Sequence, residues 1–114
     1  MRLILVCAGM LALSAGIAAA AQDAAQVERG KQVYTAQKCA MCHSVGGVGN
    51  AKGSLDGVGS KLSAEEIKLW HTDPKAMMAK TKAERKPAMP SYAAKLSKED
   101  LDAITAYMLS LKKK

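Results

Sequence analysis

The chain has 114 residues, with 17 Lys and Arg against 10 Asp and Glu, a formal net charge of +7, two His, three Cys and no Phe. That length admits a single small domain. With aromatic residues at 4%, the basic residues are not interleaved with stacking rings, which argues against a nucleic-acid surface.

The first twenty residues differ from the rest. Arg2 is the only charge before Asp23, Leu3 to Leu13 is almost wholly apolar, and the stretch closes on Ala18-Ala19-Ala20-Ala21. This is the pattern of a secretory signal peptide over residues 1–21, with cleavage at a small-x-small site and residues 22–114 as the working domain. Export is therefore expected, to the bacterial periplasm. The same uncharged span is just long enough for an uncleaved anchor, although its Ala- and Gly-rich second half makes a weak one. Cys7 falls within the segment discarded with the signal.

The remaining chain holds 23 bulky apolar residues, five of them methionine. A core this thin needs a staple, either disulfides, a metal or a large bound cofactor. Cys39 and Cys42 are too close for their disulfide to hold distant segments, so the staple is expected to be something they bind.

Asp23 with Gln26 three positions later marks a helix start, and Val27, Gly30 and Tyr34 follow at helical spacing. A first helix is expected from about Ala24 to Lys38. From Ser44 to Lys61 there is no periodicity, and six glycines fall within 14 positions, which predicts a long loop wrapped on some other surface. Two helix starts then recur, Leu62-Ser63-Ala64-Glu65-Glu66-Ile67 and Leu96-Ser97-Lys98-Glu99-Asp100-Leu101, each with a Ser cap and an acid at the third helical position. The first of these helices turns Ile67 and Trp70 inward and ends near Asp73, because Pro74 disfavours helical geometry in the residue before it. Asp73-Pro74 caps a short helix through Met77 and Met78. Thr81 to Lys95 is a second irregular stretch, and the last helix aligns Leu101, Ile104, Met108 and Leu111. No stretch alternates like a strand, so the expected class is all-α, three to five helices with long loops.

The informative residues are Cys39-Ala40-Met41-Cys42-His43. A Cys-x-x-Cys-His run directly after a helix is the c-type haem attachment signal. Two thiols one turn apart reach the two vinyl groups of one porphyrin, and the adjacent His43 is brought to the iron's axial position. Zinc fits less well, since only His71 remains as a fourth nitrogen or sulfur ligand and Cys42 beside His43 strains a tetrahedron. A thiol-disulfide oxidoreductase wants this motif at a helix start after a strand, and here it follows a helix.

Six residues compete for the opposite axial position. Met41 is too close in sequence to reach the far face, Met108 lies on an apolar stripe, and Met77 and Met78 suit a haem edge or the core. Met89 differs because Pro87 and Pro90 stiffen an extended segment around it. His71, beside Trp70 on a helix with one buried face, is expected on the solvent side and stands as the runner-up ligand.

Taken in order, Gly30 and Tyr34, the Cys39–His43 run, Leu55-Asp56-Gly57-Val58-Gly59, Leu69-Trp70 before Asp73-Pro74, Met89-Pro90, and Tyr107 with Leu111 resemble monohaem class I cytochromes c. The resemblance spans roughly Asp23 to Leu111. It implies a cytochrome c-like fold around one covalently bound haem c, with Gly30 and Tyr34 packing the first helix on the last, Met89 as the distal iron ligand and His43 as the proximal one. It suggests Trp70 as a donor near a haem propionate, with plain core packing as the competing role. One departure stands out: the family has a proline shortly before the leucine matching Leu55, whose carbonyl accepts from the proximal histidine, and Gly53-Ser54 occupy that stretch.

Iron ligated on both faces exchanges electrons without binding substrate, so an electron carrier rather than an enzyme is expected. Ten Lys and Arg from Lys75 onward, against four acids, suit redox partners with acidic docking patches and short-lived contacts, the chain itself a monomer. Membrane contact is expected only through partner complexes or an uncleaved anchor. The alternatives are a cytochrome subunit fixed in a larger redox complex, and a haem sensor or enzyme with an open sixth site.

Overall fold

Alanine loses least on entering a helix, and the run from Ala18 to Ala25 contains six of them. Accordingly α1 spans Ser14–Ala36, beginning ten residues before the position expected from Asp23. The structure, a computed structural model, describes residues 14–114, with side-chain surroundings from Asp23 onward. The apolar run of the expected signal peptide, Cys7 and the anchor alternative lie outside the described residues. Among the described residues no helix is long and apolar enough to cross a membrane.

At its C-terminal end α1 stops two residues short of the expected Lys38. Lys38 takes a left-handed conformation, φ 57°, which turns the chain into a 3₁₀ turn over Cys39–Met41. The long Gly-rich segment holds more order than its sequence suggests. β1 (Ser44–Val45) pairs antiparallel with β2 (Val48–Gly49), Ser44 opposite Gly49, so one two-residue ladder enters an otherwise helical fold. A 3₁₀ turn at Ala51–Gly53 and a single-turn helix α2 (Val58–Lys61) follow. Composition hides these because they are made by backbone bonds rather than by a side-chain pattern, some local and some between segments, as where Leu55 N–H donates to Ser44 O at 2.8 Å.

The two Ser-capped starts form as their sequences require. In α3 (Ala64–Thr72) Ser63 Oγ accepts from Glu66 N–H and Glu66 Oε1 accepts from Ser63 N–H, both at 3.2 Å, a complete capping box. In α5 (Lys98–Ser110) Ser97 Oγ accepts from Asp100 N–H at 3.1 Å without a reciprocal bond. Asp100 is one methylene shorter than glutamate, and its carboxylate is instead held by Arg29 of α1 at 2.9 Å. Between them α4 (Pro74–Thr81) starts on Pro74, with Asp73 Oδ1 accepting from Ala76 N–H at 3.2 Å.

The core lies where α1 and α3 meet α5: Val33, Ile67, Ala103, Ile104, Tyr107 and Met108 are buried there, and Met77 of α4 is buried too. Gly30 decides how close α1 comes to α5. A Cβ built on it would stand 2.2 Å from Ala103 O and 2.6 Å from Tyr107 Cβ, so only glycine permits this approach. One turn on, Tyr34 meets Tyr107 edge to face with ring centroids 5.7 Å apart. Asp102 of α5 bridges Lys68 of α3 and Lys98, each at 3.1 Å.

Candidate functional site

Backbone geometry around residues 38–55 builds the attachment turn. Cys42 N–H and His43 N–H both donate to Cys39 O, at 3.1 and 2.9 Å, which closes the Cys-x-x-Cys spacing into one tight turn. Asn50 then locks that turn from across the hairpin. Its backbone N–H donates to His43 O at 2.9 Å and its Nδ2 to Met41 O at 3.1 Å. Sequence reasoning missed Asn50, whose one local cue was its place as the cap of the Ala51–Gly53 turn.

His43 Nδ1 lies 2.9 Å from Gly53 O; a carbonyl only accepts, so Nδ1 carries the proton and Nε2 the lone pair. The carbonyl expected from a proline is therefore supplied by Gly53. Its position is held by Gly53 N–H donating to Asn50 O at 3.1 Å and by the Leu55–Ser44 bond next to it. A side chain at residue 53 would run into Cys42 O and the Arg85 guanidinium, which explains glycine there.

Cys39, Cys42, His43, Trp70 and Met89 all line one cavity of about 370 Å³, the size of a cofactor site. Its wall is largely apolar, from Leu55, Val58, Ile67, Ile104 and Met108, with Lys38 and Arg85 as its cations and no carboxylate. Met41 is 71% exposed and points away from it, while Met78 and Met108 line it and Met77 is in the core. Met89 sits in the irregular segment between α4 and α5. That segment is tied to the end of α3, because Tyr92 N–H donates to His71 O at 2.7 Å and Ser91 Oγ to Thr72 O at 2.9 Å.

His71 departs from the sequence expectation. It is only 7% exposed and lines the same cavity, with Nδ1–H donating to Ile67 O one turn back at 2.8 Å. Its spacing, four residues from Ile67, puts it on the same helix face, but burial there also depends on the cover from the Tyr92 segment. Burial holds both His43 and His71 below the ordinary imidazole value, so both are neutral at pH 7.

The donor set tests what the cavity accepts. Burial pushes the Cys39 thiol up to about 11, opposite to the lowered thiol of a disulfide oxidoreductase. Among the described residues no cluster of three or more His, Cys, Asp or Glu could hold a metal ion by itself. Tyr34 Oη is buried at the cavity wall with no hydrogen-bond partner in the protein. An orphaned hydroxyl, two unpaired thiols, a bare imidazole nitrogen and two cations fit a planar apolar group with an anionic edge, as haem is.

The family model described as Cytochrome c matches residues 27–112. The chain is also similar to the cytochrome c oxidase subunit 2 of Alkalihalophilus pseudofirmus, 31% identical over 93 residues, covering 74% of this chain and 25% of that protein. The chain thus spans about a quarter of the length of the curated relative it matches. No solved structure matches it.

Proposed function

Because this chain belongs to the cytochrome c family, which implies haem-based electron transfer, we propose that it is a periplasmic one-electron carrier. Cys39 and Cys42 hold one haem c through thioethers, and His43 and Met89 are the two axial ligands. Residues 1–21 are a signal peptide and residues 22–114 the working domain. The observation that carries this reading is the shared cavity: the Cys39–His43 turn, with His43 Nε2 bare, opens into the same space as Met89.

Bound there, haem supplies a reversible change between ferric and ferrous iron. The protein's own residues do three things. The Gly53 carbonyl orients His43 and raises its basicity, as a hydrogen-bond partner behind a ligand does. Leu55, Ile67, Ile104 and Met108 exclude water, while the bonds from Tyr92 and Ser91 to α3 hold the Met89 segment in place. Arg85, Lys38 and the Tyr34 hydroxyl offer charge balance and hydrogen bonds to an anionic edge, and Trp70 adds either a propionate contact or wall area. The excess of Lys and Arg from Lys75 onward suits brief docking on acidic patches of redox partners.

The likeness to part of an oxidase subunit favours a second reading, a cytochrome subunit fixed in a larger redox complex. Gel filtration separates the two, since a fixed subunit co-elutes with its complex at every dilution. The primary reading is tested by ferric and ferrous optical spectra of protein made with a c-type maturation system. The expected result is a low-spin spectrum with a sulfur-to-ferric-iron band and no response to carbon monoxide; a prompt carbon monoxide shift identifies an open site instead.

A further inference from the structure

We propose that His71 is a reserve ligand for the haem iron, one that takes the sixth position through Nε2 when Met89 leaves it. The proposal rests on the haem reading above. Its basis is that two histidines of this cavity are prepared in the same way. His43 Nδ1–H donates to Gly53 O at 2.9 Å, and His71 Nδ1–H donates to Ile67 O at 2.8 Å. A second ring nitrogen bonded to a backbone carbonyl is the arrangement of metal-ligating histidines, because it fixes the tautomer that leaves Nε2 bare.

The back-bond to Ile67 satisfies one nitrogen only. His71 is 7% exposed, and among the described residues no protein group hydrogen-bonds to its Nε2. Nor is that nitrogen sealed in the core: among the described residues Tyr34 Oη is the buried side-chain polar atom left without a partner, whereas His71 lines the cavity with Nε2 open to it.

His71 and Met89 are also neighbours through the backbone, since Tyr92, three residues after Met89, donates its N–H to His71 O at 2.7 Å. They differ in footing. His71 stands on α3, behind a complete capping box and against the core. Met89 is half-buried on an irregular segment, the kind that opens locally at the lowest cost. When the thioether leaves, the imidazole on α3 replaces it. In that exchange the iron–sulfur bond breaks and an iron–nitrogen bond forms, with no electron transferred and no proton moved, because Nδ1 keeps its hydrogen on Ile67 O. The iron stays closed to small ligands, and the reduction potential falls because thioether ligation favours ferrous iron more than imidazole does.

The test uses holoprotein from a c-type maturation system in four forms: wild type, Met89→Ala, His71→Leu and the double variant, with leucine chosen to keep the cavity wall filled. Ferric optical and electron paramagnetic resonance spectra and carbon monoxide uptake are recorded. Met89→Ala is expected to lose the sulfur band yet remain low-spin, and to take up carbon monoxide at least tenfold more slowly than the double variant. The double variant is expected to be high-spin and to recover a low-spin spectrum on adding imidazole, while His71→Leu alone keeps the sulfur band because Met89 still holds the sixth position. If Met89→Ala and the double variant are alike in spin state and carbon monoxide uptake, His71 does not reach the iron and the proposal is overturned. A sulfur band that survives Met89→Ala instead overturns Met89 as the resident ligand, a distinct failure belonging to the reading beneath.

Discussion

Replacing Gly30 by alanine sets two effects of opposite sign against each other. In the middle of a helix the exchange alone stabilises by about 1 kcal/mol, since glycine is the weaker helix former. Here the added Cβ would stand 2.2 Å from Ala103 O and 2.6 Å from Tyr107 Cβ. Carbon–oxygen contacts settle at about 3.3 Å or more, so α1 and α5 must separate by about 1 Å. Neither obstacle yields by itself, because both are fixed to the α5 backbone. Separation loosens the contacts of Val33, Ala103, Ile104 and Tyr107, all of them buried. Overpacking of this kind costs about 3 kcal/mol at the upper end, which backbone obstacles warrant, leaving a net loss of about 2 kcal/mol. For a domain of this size that lowers Tm by about 8–16 °C. Thermal unfolding followed by far-ultraviolet circular dichroism measures it, with exposed Gln26→Ala as the control near zero. A Tm for Gly30→Ala equal to or above wild type would falsify the close approach of the two helices.

Gly53→Ala pushes the residue off Cys42 O and weakens the bond from His43 Nδ1–H to Gly53 O. His43 then becomes a poorer donor and the reduction potential rises by up to about 40 mV, the equivalent of one net hydrogen bond of about 1 kcal/mol; an unchanged or lower potential by redox titration contradicts that role. Ser63→Ala removes the acceptor of the α3 capping box and should cost about 1 kcal/mol in denaturant unfolding. A midpoint at the wild-type value would show that α3 does not depend on its cap. Lys68 and Lys98 hold the Asp102 carboxyl below the ordinary aspartate range. Its stabilising effect is therefore present above about pH 4 and lost as pH falls below that. Asp102→Asn should be less stable than wild type at pH 7 in low salt and indistinguishable at pH 2, and a difference that persists at pH 2 points to packing rather than charge.

What the sequence determined by itself was local. The caps at Ser63, Ser97 and Asp73 were legible because each interaction spans three residues and needs nothing from the rest of the chain. The Cys39–His43 spacing was legible for the same reason, as was the match of Gly30 and Tyr34 to one face of α1. Tertiary structure decided the rest, where two distant segments had to meet before a residue acquired its role. Asn50 locks the attachment turn only because the β1–β2 hairpin folds back on it, and Gly53 becomes the partner of His43 only across a ten-residue loop. His71 shows the limit most directly: its helical position was readable, but its burial was not. Which face of α3 is covered depends on α5 on one side and on the segment around Tyr92 on the other, and that second cover is set by hydrogen bonds across some twenty residues, α4 and the irregular segment after it. Periodicity ranks the faces of a helix, while only packing settles how much of a mixed face is closed to water.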